Sequence, residues 1–109
     1  MKNRTLTLML AFCALTASSL GHAQSPPAQA ALYTRSLAAT CATCHGTDGK
    51  AVPGSSVVSL AGRDKSYLVA QLQAFKSGAQ PATVMHQIAK GYSDAQIEII
   101  AGYFAAQKK

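Results

Sequence analysis

The chain has 109 residues, 10 of them basic and 4 acidic, for a net charge of +6. Its cations are scattered, and the one basic tail, Lys108-Lys109, is only two residues long, which argues against a dedicated nucleic-acid binder. The length also rules out a large self-sufficient core: a domain this small usually needs a staple such as a disulfide or a metal.

The first stretch has the layout of a targeting segment. Lys2 and Arg4 form a basic start, Leu6 to Leu15 is apolar apart from Thr7, and small residues close it at Gly21-His22-Ala23. That order predicts a secretory signal peptide cleaved after Ala23. A membrane anchor is the rival reading, but the apolar run falls short of the roughly 20 residues a bilayer needs. The expected organisation is a signal peptide over 1–23, a flexible leader over 24–29 and one domain over 30–109. The protein is then exported to the periplasm, with no stable membrane insertion after cleavage. Loss of Lys2 and Arg4 lowers the net charge from +6 to +4, a mildly basic balance suited to an acidic protein partner. Cys13 leaves with the signal. Cys41 and Cys44 remain, too close together to close a useful loop, so a disulfide framework is not the staple despite the oxidising route.

Pro26 and Pro27 are expected to hold off a helix until about Ala28. From Ala28 to Thr43 the chain is rich in Ala and Leu, which predicts a first helix. It runs into Cys41-Ala42-Thr43-Cys44-His45, which reads Cys-x-x-Cys-His, the attachment signature of a c-type haem. Chemistry explains the spacing. Two thiols three positions apart at a helix end can each add across one vinyl group of the same porphyrin, and the next residue, His45, is then held beneath the iron. Cys-x-x-Cys alone also serves redox dithiols and half-zinc sites. A zinc module here would need four ligands from Cys41, Cys44, His45 and His86, which are too clustered in sequence.

Gly46 to Gly62 is rich in Gly, Pro and Ser and reads as loop. Gly46 and Gly49 hint at a phosphate loop, but Lys50 is followed by Ala51 rather than Ser or Thr. Val57, Val58 and Leu60 are apolar and need a cover, for which a haem face is the natural candidate. A second helix is predicted from an Asp64 cap to Ser77, stopped by Gly78 and Pro81. Its Leu68, Leu72 and Phe75 recur at i, i+4, i+7, with Val69 beside them. Thr83 to Gly91 reads as irregular and carries Met85 and His86. Ser93-Asp94-Ala95-Gln96 is a capping box opening the last helix, Asp94 to Gln107, with Ile97, Ile100, Ala101 and Phe104 as its apolar stripe. No segment alternates at period two, so an all-α chain without a substantial sheet is expected.

A second iron ligand is also legible. Met1 and Met9 fall in the signal, leaving Met85 as the lone Met of the domain, in a segment able to carry a thioether across the opposite haem face. A soft thioether stabilises ferrous over ferric iron and raises the potential, which suits electron transfer. The plainer role for a lone Met is to fill a gap in the core. His86 is the rival ligand, although a lone His is more often a surface or hydrogen-bonded residue. The second ring nitrogen of His45 should donate to a backbone carbonyl, from the Val57–Leu60 strip or Pro53. Tyr67, Tyr92 and Tyr103 could reach a propionate or the Met sulfur, with amphipathic packing the ordinary alternative.

Taken together, these residues resemble a class I c-type cytochrome over nearly all of 24–109. The likeness is to small bacterial monohaem cytochromes of the c553 type and to the haem domains of flavocytochrome c sulfide dehydrogenase. It is carried by His45-Gly46-Thr47-Asp48-Gly49, Ser59-Leu60-Ala61-Gly62, the Met85 to Asp94 segment and Ala101-Gly102-Tyr103-Phe104. The resemblance implies three to five helices wrapped round one covalent haem c, with first and last helices crossing near right angles and an aromatic such as Tyr103 at the contact. It implies Cys41 and Cys44 as thioether attachments, His45 as proximal and Met85 as distal iron ligand. It further implies an electron carrier rather than an enzyme, exchanging electrons through an exposed haem edge with a redox protein such as a flavoprotein subunit or a terminal oxidase. Lys50, Arg63, Lys76 and Lys90 are candidate rim charges for docking. The family often places Pro two residues before the Leu of its Leu-x-Gly turn, where its carbonyl receives the axial His; Val58 stands there. The competing function is an open-iron haem protein that binds a small gas or peroxide, with Met85 off the metal.

Overall fold

Helix α1 spans Pro26–His45 in the computed structural model, which describes residues 25–109. The expected signal peptide lies outside the described residues. The helix starts two residues earlier than the sequence suggests, and the expected leader is shortened accordingly. Pro26 and Pro27 occupy its first two positions. A proline there gives up an N–H that has no partner in the helix anyway, and its fixed φ suits the first turn. The Ser25 carbonyl accepts from the N–H groups of Ala28 and Gln29 at 2.9 and 3.1 Å.

At its other end α1 stops at Gly46, with φ +82°; a Cβ there would stand 1.9 Å from the Lys50 carbonyl oxygen. Only glycine allows the chain to turn back this sharply after His45, into a 3-10 turn over Thr47–Gly49. The loop that follows is tied down at one atom. The Gly49 carbonyl accepts from Ser59 Oγ, Leu60 N–H and Ala61 N–H at 2.7, 2.7 and 3.1 Å. This holds the 57–61 strip against the end of the Cys-x-x-Cys-His segment.

Helix α2, Lys65–Ser77, is capped as predicted: Asp64 Oδ1 accepts from the Tyr67 N–H at 2.9 Å, and Gly78 ends it in the left-handed region at φ +83°. Residues Met85–Lys90 form a short helix, α3, where the sequence suggests irregular chain. Six residues are too few for a period to show, and helices this short rely on tertiary packing; α3 lies against α2. Helix α4, Asp94–Ala105, begins with the full capping box, Gln96 N–H to Ser93 Oγ at 3.2 Å and Ser93 N–H to Gln96 Oε1 at 2.9 Å. It ends two residues short of the predicted Gln107, within the ordinary play of helix ends.

The core forms where α4 meets α1 and α2. Ile100, Ala101 and Phe104 pack with Leu37 and Ala38 of α1 and Leu68 of α2. Tyr103 packs against this cluster: its ring meets Phe104 edge-on at 5.2 Å, and its hydroxyl donates to Asp48 of the 3-10 turn at 2.5 Å. Among the described residues no strand forms, and no helix is long and apolar enough to cross a membrane.

Candidate functional site

The folded chain leaves an apolar cavity of about 480 Å³ between its helices. That volume lies in the range of cofactor pockets, roughly 300–1,000 Å³. The end of α1 brings Cys41, Cys44 and His45 to its wall, the loop adds Val57, Val58 and Leu60, and α3 adds Met85. The apolar face predicted for α2 points into it through Leu68, Leu72 and Phe75.

The two thiols are free. Burial pushes the Cys41 thiol above its ordinary pKa, outweighing the weak hydrogen bond from Thr40 at 3.8 Å, and the neighbouring Cys44 adds to the rise. A thiol held protonated at neutral pH is unlike the thiolate that redox dithiols use. His45 Nδ1 lies 2.7 Å from the Val58 carbonyl oxygen. A carbonyl only accepts, so Nδ1 carries the proton and Nε2 keeps its lone pair for a metal. The carbonyl comes from the position where the resemblance places a proline, and valine serves because any residue offers the same oxygen.

Of the two candidates for the opposite face, Met85 is on the cavity wall and His86 is not. His86 Nδ1 is buried without a hydrogen-bond partner. Among the described residues no three His, Cys, Asp or Glu side chains cluster closely enough to hold an ion, so the zinc set is not assembled. The phosphate-loop reading has no support either: the Gly49 and Lys50 N–H groups are used inside the turn, on the Gly46 and Thr47 carbonyls at 2.9 and 3.0 Å. The residues present fit a haem: two thiols, an oriented imidazole and a thioether in one apolar cleft.

Other expectations need correction. Lys76 is bound to Asp94 at 2.7 Å, with Gln73 on the same carboxylate oxygen, so it is not a free rim charge. Those bonds hold the Asp94 carboxyl below its usual pKa. Of the three tyrosines, Tyr67 lines the cavity; Tyr92 shares a 2.5 Å hydrogen bond with Thr40, and Tyr103 is committed to Asp48, whose bond raises its pKa. Several lining residues escaped the sequence reading, among them Thr40, Gln71, Val84 and Ile88. Gln71 follows Leu68 by three positions, and that helical spacing was the available signal.

The cytochrome c family matches residues 30–107. The chain is 41% identical to the cytochrome subunit of sulfide dehydrogenase of Chlorobaculum tepidum over 73 residues, 67% of this chain and 64% of that protein. It is 34% identical to cytochrome c4 of Pseudomonas aeruginosa over 106 residues, 97% of this chain and 49% of that one. A thiosulfate dehydrogenase electron acceptor of Thiomonas intermedia is 39% identical over 65% of this chain and 33% of its own. The chain thus spans about a third to just under two thirds of the length of these relatives. Among solved structures, cytochrome c4 of Acidithiobacillus ferrooxidans superposes with a TM-score of 0.57 at 36% identity, covering 61% of this chain and 37% of that one. The chain belongs to the cytochrome c family and is a class I c-type cytochrome, the group whose prosthetic group is covalently bound haem c.

Proposed function

We propose that the protein is a periplasmic electron carrier in which Cys41 and Cys44 hold one haem c through thioether bonds, with His45 as proximal and Met85 as distal iron ligand. The observation that carries this reading is the convergence of both thiols, His45 and Met85 on one apolar cavity. When bound, the haem supplies the one-electron ferrous–ferric couple. The protein's own residues then set its terms. The Val58 carbonyl orients the His45 ring and raises its basicity as a ligand. The Met85 thioether favours the ferrous state and raises the potential. Leu68, Leu72 and Phe75 keep water from the site. With His45 and Met85 both holding the iron, no substrate would bind the metal.

The signal-like layout of residues 1–23 supports export. The relatives named as a sulfide dehydrogenase subunit and a thiosulfate dehydrogenase electron acceptor support a redox-protein partner, such as a flavoprotein subunit or a terminal oxidase. Exposed Lys50 and Lys90 are the cations left for docking. Two measurements test the reading. Mass determination of the mature protein should show one attached haem. Reduced wild type should resist carbon monoxide, whereas reduced Met85→Ala should bind it rapidly and show a much lower potential. Rapid binding by the wild type would instead establish the open-iron reading.

A further inference from the structure

The chain from 81 to 92, which carries Met85, has little polar attachment to the rest of the protein. Among the described residues it makes one hydrogen bond beyond its own bounds, between Tyr92 and Thr40 of α1 at 2.5 Å. Its backbone bonds, such as those of Gln87 and Ile88 to Val84 and of Tyr92 to Ala89, stay inside it. Just before it, the Gln80 N–H donates to the Ala74 carbonyl of α2 at 3.0 Å. Met85 therefore sits on a span tied to α2 at one end and to α1 at the other. The direction of the second tie is fixed. Thr40 Oγ1 donates its one proton to the Leu37 carbonyl at 2.7 Å, so Tyr92 donates and Thr40 accepts. Thr40 adjoins Cys41 and lines the cavity. On the other side, the Tyr92 N–H donates at 3.2 Å to Ala89, which is fully buried one helical turn after Met85.

We propose that Tyr92 is a positioning residue for Met85: its hydrogen bond to Thr40 fastens the end of α3 to α1 and so keeps the thioether at the cavity. The proposal rests on the His45–Met85 reading above. A ligand carried on a chain segment binds at an effective concentration, which falls as the segment gains freedom. Helix α3 has only six residues, so its place is set by what it is tied to. The tyrosine does not act on the sulfur directly, because its one proton is spent on Thr40. Its ring is partly buried against the core cluster, but phenylalanine would cover the same surface, so packing alone leaves the hydroxyl unexplained.

The test is the affinity of the haem-loaded ferric protein for added imidazole, read from the visible spectrum. Imidazole competes with Met85 for the iron, so its apparent affinity reports how firmly the thioether is held. Tyr92→Phe should bind imidazole about 2- to 10-fold more tightly than wild type, the net worth of one hydrogen bond. Thr40→Val, which removes the acceptor, should give the same gain, and the double variant no more than either alone. Thr40→Ser keeps the hydroxyl and should return toward the wild-type value. In a Met85→Ala background Tyr92→Phe should change nothing, a result that a general loosening of the fold would not give.

Wild-type imidazole affinity in either Tyr92→Phe or Thr40→Val overturns the proposal. So do additive gains in the double variant, or a gain that persists in the Met85→Ala background, since each makes Tyr92 a packing residue only. If Tyr92→Phe does not accumulate, Thr40→Val decides, measured with and without Met85. The reading beneath the proposal fails differently: Met85→Ala would then bind imidazole no more tightly than wild type, placing the methionine off the iron and taking the proposal down with it.

Discussion

Helices α2 and α4 carry the same kind of apolar stripe and meet different fates. In α4, Ile97, Ile100, Ala101 and Phe104 are at most 2% exposed, although Ile100, Ala101 and Phe104 also edge the cavity. In α2 only Leu68 is buried, while Leu72 and Phe75 remain half-buried on the wall of the cavity and Tyr67 is 49% exposed. One helix is covered almost entirely by the polypeptide. The other presents an apolar face to a space that the chain leaves open, so the prosthetic group is part of the hydrophobic core as well as the redox centre.

The strongest way to break this contrast is to remove the anchors. The double variant Cys41→Ala/Cys44→Ala should bind no covalent haem and lose cooperative thermal unfolding, because the α2 face then has no partner; circular dichroism melts and a haem stain check both. Next in size, Phe104→Ala in the loaded protein should cost about 3–5 kcal/mol, the usual range for emptying a fully buried aromatic site, read from the denaturant midpoint. Leu72→Ala should cost less, about 2 kcal/mol, because its site is only half-buried. Equal costs would erase the distinction between the two faces.

Smaller still, Ser93→Ala removes the capping box of α4 and should cost about 1 kcal/mol with the spectrum unchanged. The smallest effect is acid dependence. The Ser66 hydroxyl, then the Tyr67 N–H, hold the Asp64 carboxyl below its ordinary pKa. A carboxylate whose pKa falls on folding adds stability that is present above its unfolded pKa of about 3.9 and is lost as pH drops through the lower folded value. A melt series below about pH 4 should therefore fall less steeply for Asp64→Asn than for wild type.

Much of the site was readable locally. Asp64, Gly78 and the Ser93–Gln96 box announce helix ends through hydrogen bonds that span a few residues, and all three act as expected. Lys76 was misread as a docking charge because its partner, Asp94, lies 18 positions away. The helix at Met85 was missed because its six residues draw their stability from α2 and carry no period of their own.

By itself the sequence determined the helical segments, their caps and the thiol–thiol–imidazole order of residues 41–45, since these depend on spacing along the chain. Only the tertiary structure decided which carbonyl orients His45, that Met85 and not His86 lines the cavity, and that Lys76 pairs with Asp94. Those outcomes depend on groups brought together across loops by packing, and no local pattern of residues encodes such a distance.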